Sequence, residues 1–199
     1  MDNREFFNNL AEKWDSMCCH PEEKVNHVFD KIELEKGNHV LDIGSGTGII
    51  IPYIEKEIGE SGKLVALDLS EKMIEVSKKK NDYKNLSFYV GDFDSYNPLE
   101  KYDCIIAYSC YPHFNDREAF FKKANSLLKK GGKAVIAHIE SRQKINSRHN
   151  DIEDHIHSND LVKVNETSKI MNEHGFNTIY TEDNSEYYIC IGEKSKELY

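Results

Sequence analysis

Residues 39–48 read HVLDIGSGTG. A short, mostly apolar run leads straight into three glycines, Gly44, Gly46 and Gly48, set at alternate positions. A strand that ends in a glycine turn is the usual entry to a nucleotide-type loop, but two familiar versions do not fit. The dinucleotide fingerprint needs G-x-G-x-x-G, and Ile49 stands where its third glycine belongs. The phosphate-binding P-loop needs G-x-x-x-x-G-K-[ST], and its lysine is missing. Alternate glycines let the backbone pass close beneath a ligand with no Cβ atoms in the way.

Outward from this loop the chain alternates between strand and helix. Residues 39–43 are the first expected strand and residues 47–58 a helix. KLVALDL at 63–69 is a strand, followed by a helix over 70–80 with Ser70 as N-cap, because a serine hydroxyl can accept from the free N–H groups of a first turn. LSFYV at 86–90 and YDCIIAY at 102–108 are strands, and the unbroken apolar run of the latter suits a strand buried on both faces. Residues 115–129 form an amphipathic helix with Phe120, Phe121, Ala124 and Leu127 or Leu128 facing inward. Gly131-Gly132 ends it, and KAVIAHI at 133–139 is the next strand. Residues 160–174 read as a helix ended by Gly175. Residues 176–183 and 186–194 read as a hairpin turning at Asn184-Ser185.

Upstream, the first 36 residues look helical. Phe6, Phe7, Leu10 and Trp14 share one face; Val25, Val28, Phe29 and Ile32 share another after Pro21, and Gly37 stops that helix. Together the pattern implies an α/β fold: a doubly wound, mostly parallel, seven-stranded Rossmann-like sheet with N-terminal lid helices and an antiparallel C-terminal hairpin. A single domain over 1–199 is expected. It divides into a helical cap at 1–36, a cofactor-binding core at 37–139, and a substrate-side helix and hairpin at 140–199.

The whole composition narrows the class. The 199 residues carry a formal charge of −9, so the basic footprint of a nucleic-acid binder is missing. The N-terminus MDNREFFNNL has neither the basic start nor the apolar core of a secretory signal, and no apolar run is long enough to cross a membrane. Five cysteines without scaffold spacing read as reduced thiols of a cytoplasmic protein. A homodimer is compatible with this composition.

In a doubly wound sheet, ligands bind at the carboxyl ends of the strands near the switch in strand order. Asp68 ends the second strand and is placed to accept hydrogen bonds from both hydroxyls of a ribose. These residues indicate a nucleoside-containing cofactor and leave its identity open. The surroundings narrow it. HVLDIGSGTG at 39–48, LVALDLSEKMIEVSKKK at 64–80, VGDF at 90–93, DCIIAYSCYPHF at 103–114 and LLKKGGKAVIAH at 127–138 occur in order. With these five segments the chain resembles the class I S-adenosylmethionine-dependent methyltransferases, and most closely the small-molecule group that includes quinone C-methyltransferases.

The resemblance implies a set of roles. Asp42 lies under the glycine turn and helps hold the methionine end of S-adenosyl-L-methionine, and Gly44, Gly46 and Gly48 let the backbone approach it. Asp68 takes the ribose hydroxyls and Leu69 packs on the adenine. Asp92 accepts from the adenine amino group, with Phe93 stacking nearby; Gly-Asp is also common turn chemistry, which gives Asp92 a second reading. Tyr108 borders the sulfonium. In similar enzymes the helices before the first strand cover the cofactor. Here Phe6, Phe7, Trp14 and Met17 supply the apolar face of such a lid, and Trp14-Asp15 is the expected point of contact.

The acceptor side is expected in the loops after the fourth and fifth strands. SCYPHF at 109–114 does not match the [DNS]-P-P-[YFW] element of amino-methylating DNA enzymes. It offers His113 as a base or ligand and Tyr111 as a substrate contact. His138, Arg142, Asn146 and His149 follow at spacings of four, four and three, which on a helix align on one face. Of these, His138 and Arg142 are the catalytic candidates and Asn146 and His149 the substrate-binding ones; Arg142 suits a carboxylate or phosphate. A solvated surface is the plainer reading of both sets. Cys18-Cys19-His20 and His155-x-His157 invite a metal reading, but no standard zinc spacing is present and no metal is expected.

The expected function is methyl transfer to a small-molecule acceptor. One rival is a dinucleotide dehydrogenase, which lacks its third glycine here. The other is a non-catalytic sensor of S-adenosylmethionine or metal.

Overall fold

The structure is a computed structural model, and it describes residues 2–150 and 158–195, excepting the side chains of His149 and Asn150. His155 and His157 lie outside the described residues, as does the side chain of His149. Seven strands form one sheet in the order β3-β2-β1-β4-β5-β7-β6. Strands β1 (His39–Ile43), β2 (Lys63–Asp68), β3 (Leu86–Val90), β4 (Tyr102–Tyr108) and β5 (Leu128–His138) pair in parallel. Strands β6 (Phe176–Asp183) and β7 (Tyr188–Lys194) form the antiparallel hairpin, and β7 inserts beside β5. The strand order reverses between β1 and β4, so the cleft at their carboxyl ends is the place for a ligand.

The apolar run of β4 is explained by two cores. Tyr102, Ile105 and Ala107 face one core with Phe120, Phe121, Met171 and Phe176. Cys104, Ile106 and Tyr108 face the other with Val25, Phe29, Ile51 and Ile54. The first core is roofed by α6 (Arg117–Leu127) and α8 (Val164–Glu173), the second by α3 (Glu22–Ile32) and α4 (Ile51–Ile58). The period of two along a strand divides its side chains between these layers.

Ahead of α3 the chain forms α1 (Asn3–Leu10), a 3-10 turn and α2 (Trp14–Met17). None of the α1 residues is fully buried, so the face carrying Phe6, Phe7 and Leu10 rests on the surface of the sheet's loops rather than in either core. Ser70 caps α5 (Glu71–Lys80) as its sequence suggests, accepting from the N–H of Met73 at 3.1 Å.

Several boundaries differ from the sequence reading, three of them by more than two residues. The helix expected from residue 47 starts at Ile51, because Gly44, Gly46 and Gly48 all adopt left-handed φ values of 62°, 53° and 81° that no α-helix can include. Gly131-Gly132 does not stop a helix. α6 has already ended at Leu127, and β5 runs through the glycine pair beside a register shift against β4. There a Cβ on Gly132 would lie 3.0 Å from the carbonyls of Asp103 and Lys129, so the pair permits a close backbone crossing. The helix expected from residue 160 starts at Val164, since Leu161 is held outside it by Asn146.

Candidate cofactor and acceptor site

The glycine loop is shaped by contacts on both of its sides. A Cβ on Gly44 would lie 2.7 Å from the Cβ of Cys110, and one on Gly48 would lie 2.3 Å from the Ser77 hydroxyl. These two glycines are required by packing below the loop. Gly46 differs: nothing lies within 4 Å of its Cβ position, so the space above it is open. The Cys110 thiol donates to the carbonyl of Ile43 at 3.1 Å, and burial pushes its pKa well up, which keeps it a donor.

Two carboxylates flank that open ledge. Asp68 is buried and accepts from the Gly46 N–H at 2.7 Å and from the Ser70 N–H at 2.8 Å. Burial raises its pKa to about 6 against those two hydrogen bonds. Asp42 is buried at the end of β1, and its Oδ2 has no hydrogen-bond partner. Burial, helped by the nearby charge of Asp68, pushes its pKa well up. An orphaned buried carboxylate oxygen is costly unless a ligand supplies a donor. The ledge therefore suits a molecule that brings hydroxyl donors and positive charge, as S-adenosylmethionine does.

Other expected cofactor residues take specific places. Leu69 is half-buried just past the end of β2. Asp92 is exposed, and its side chain accepts from the Asp94 N–H at 2.9 Å, which is turn chemistry. Phe93 is buried, with ring centroids 5.4 Å from Phe120 and 6.0 Å from Phe114. Its ring packs in the core rather than along an open wall.

The N-terminal segment clasps the cleft at three places, the loops after β2 and β1 and the end of β4 with its loop. Asn8 accepts from the Ser70 hydroxyl at 2.6 Å and donates to Glu71 at 3.0 Å, at the loop after β2. Asp15 accepts from the Thr47 hydroxyl within the glycine loop and pairs with Lys80, each at 2.5 Å. Phe7 sets its ring edge-on against His113, centroids 5.4 Å apart, at the loop after β4, and stands 5.4 Å from the half-buried Trp14. His20 Nδ1 lies 2.9 Å from the hydroxyl of Tyr108 at the end of β4.

The acceptor-side residues are not brought together as their spacing suggested. His138 is the last residue of β5, is buried, and faces Tyr188 with centroids 6.1 Å apart, so it does not share a helix with the others. Arg142 opens α7 (Arg142–Asn150) and its Nε donates to Asp183 at 3.4 Å. Asn146 donates to the Leu161 carbonyl at 3.0 Å and accepts from the Leu161 N–H at 2.9 Å. The polar face of α7 thus anchors the following chain instead of facing an open cleft. Tyr111 is fully buried among Phe120 and Phe121 and serves as core, not as an exposed substrate contact. His113 is half-buried beside the lid.

Asn8 and His20 belong to the site, and sequence reasoning did not place them there. The signal for His20 was its position in Cys18-Cys19-His20, read for metal. Among the described residues no group of three or more His, Cys, Asp or Glu side chains is arranged to hold a metal ion.

Comparison with known proteins agrees with this geometry. The methyltransferase-domain family matches residues 34–189. The chain belongs to this family of methyltransferase domains. It is similar to malonyl-[acyl-carrier protein] O-methyltransferase 1 of Ilyobacter polytropus, 32% identical over 158 residues that cover 73% of this chain and 58% of that one. It is also similar to the ubiquinone/menaquinone biosynthesis C-methyltransferase UbiE of Wigglesworthia glossinidia brevipalpis, at 28% identity over 66% of this chain and 57% of the relative. It therefore spans less than two thirds of the length of either. In fold it matches the methyltransferase bound to the Haloferax volcanii activator Trm112, with a TM-score of 0.82 at 19% identity over 98% of this chain and 99% of that one. The DhpI complex with SAH matches at a TM-score of 0.77 and 16% identity, over 97% and 95% of the two chains.

Proposed function

We propose that this chain transfers the methyl group of S-adenosylmethionine to a small-molecule acceptor, and that the N-terminal segment closes over both. The observation that carries this reading is the three-point clasp: Asn8 and Asp15 reach the loops after β2 and β1, and His20 reaches the last residue of β4. A segment that touches the cleft at these three places can exclude water from it and line a closed acceptor space. By their names, the relatives above act on malonyl-[acyl-carrier protein] and in ubiquinone/menaquinone biosynthesis, which supports an acceptor of that small-molecule kind.

Within the cleft, Asp68 would hold the ribose hydroxyls, Asp42 the methionine end, and the open face of Gly46 would lie against the bound molecule. The cofactor, when bound, supplies an already activated methyl group. What remains for the protein is to align the acceptor, for which effective concentration is worth about 7–11 kcal/mol in favourable cases. His113, beside Phe7, is the lid-side candidate for acceptor contact, and Trp14 supports Phe7 behind it. Arg142 and Asn146 are proposed here only as the frame of that space, given their partners.

A cytoplasmic setting is part of the proposal, supported by five free thiols. No helix among the described residues is long and apolar enough to cross a membrane. The test is incubation of the purified protein with methyl-labelled S-adenosylmethionine and a metabolite extract, with labelled product resolved by mass. Label in a small molecule supports the reading. Tight cofactor binding with label transferred to nothing would favour the sensor alternative, and label in nucleic acid or on an amino-acid side chain of a protein would contradict the acceptor class, whereas label on an acyl group borne by a carrier protein agrees with it.

A further inference from the structure

The end of β4 carries a phenol–imidazole pair that cofactor binding does not require. Ser109 adopts a left-handed φ of 56°, uncommon for a residue with a Cβ, and its N–H is tied to the Ala137 carbonyl at 2.8 Å. The Tyr108 hydroxyl lies 2.9 Å from His20 Nδ1. A phenol that keeps its proton donates across that distance to a neutral imidazole nitrogen, which makes Nδ1 the accepting nitrogen of the pair.

The surroundings suit proton uptake at that nitrogen. Burial lowers the pKa of His20, so the ring is neutral near neutral pH. The charges of Asp15 and Glu140 oppose that shift, and Lys80 adds to it. Both carboxylates, themselves paired with Lys80 and with Lys144 and Arg148, favour an imidazolium once it forms. Burial holds Tyr108 well above the usual phenol range, so it stays protonated and can relay.

We propose that Tyr108 and His20 form a proton path for methyl transfer, and that the acceptor is accordingly a small molecule whose attacking atom carries an acidic proton, such as a phenol or an enol. This rests on the methyltransferase reading above. As the acceptor atom bonds to the methyl carbon, the carbon–sulfur bond breaks and its electron pair stays on sulfur. The acceptor's proton passes to the Tyr108 oxygen while the Tyr108 proton passes to His20 Nδ1. The products are the methylated acceptor, a neutral sulfide and an imidazolium. Tyr108 is the catalytic residue of the pair and His20 acts through it. An acceptor that is already an anion, such as a carboxylate, has no use for the path.

The experiment is nitrogen NMR of the histidine rings in protein saturated with S-adenosylhomocysteine, between pH 5 and 8, for wild type and Tyr108→Phe. Calorimetry with S-adenosylhomocysteine on the same samples is the control: absence of binding to wild type sinks the methyltransferase reading itself. Given binding, the neutral His20 ring should carry its proton on Nε2 and accept at Nδ1, and Tyr108→Phe should abolish that preference. A neutral ring protonated on Nδ1, or a tautomer indifferent to Tyr108→Phe, overturns the proton path. In turnover at saturating S-adenosylmethionine with a panel of phenols, enols and carboxylates, His20→Gln should lose about 100-fold in kcat with the phenols and enols. Methylation of carboxylates alone, or a full rate in His20→Gln, overturns it equally.

Discussion

Asp68 is where the chemistry of single side chains makes its clearest prediction. Its pKa is raised to about 6 from an ordinary 3.8, chiefly by burial. The ionised carboxylate is the form that accepts ribose hydroxyls. Affinity for S-adenosylhomocysteine should therefore rise with pH through about 6 and level off above 7, and calorimetry at several pH values measures it. Folding runs the other way. A folded pKa above the unfolded one means that the contribution of Asp68 to stability is complete below pH about 4 and is lost as pH rises through 6. Flat affinity from pH 5 to 7.5 would contradict the ribose role. The glycines separate in a second prediction. Gly46→Ala keeps a left-handed residue at a cost of about 1–2 kcal/mol, but its methyl enters the open ledge, so cofactor affinity should fall far more than thermal stability. Gly48→Ala pushes a methyl into Ser77 and Asn81 and should lower the melting temperature more than Gly46→Ala does. Equal effects of the two on both readouts would refute the assignment of one glycine to ligand and the other to packing.

Secondary-structure elements and the segments between them carry the next prediction. In the proposed closure, Asp15 releases Thr47 and Lys80 before a ligand enters above the glycine loop. Asp15→Ala should therefore speed both association and dissociation of S-adenosylhomocysteine in stopped flow, by about ten-fold for a lost hydrogen bond to a charged group. Unaltered rates would show that the segment is a fixed wall. Elements also show what could be read from sequence. Strand β4 was readable to the residue, because a run buried on both faces is apolar throughout. α7 was readable as a helix, but its polar spacing was ambiguous: Arg142 and Asn146 bind Asp183 and the Leu161 backbone, partners distant in sequence or set by a loop. The Gly131-Gly132 pair was misread because a glycine pair serves equally as a helix stop or as a close backbone crossing. Only the neighbouring carbonyl of Asp103 decides between them. His20 was unreadable as a partner of Tyr108, 88 residues away, since no local pattern encodes that contact.

Across the whole molecule, two cores sandwich a sheet whose order reverses between β1 and β4, and the lid crosses the cleft that results. The same arrangement explains why the fold was more readable than the site. Parallel strands and their helices repeat a local pattern, whereas the site is assembled from loops far apart in the chain and completed by a segment folded back over them. Binding of S-adenosylmethionine at that cleft is the claim on which every functional statement here depends. It is best measured by calorimetric titration of the purified protein, with Gly46→Ala as a folded control. One-to-one binding at micromolar concentration, weakened at least ten-fold in the variant, is the expected result. Absence of binding to the wild-type protein, or binding that Gly46→Ala leaves untouched, would mean that the ledge between Asp42 and Asp68 is not the cofactor site.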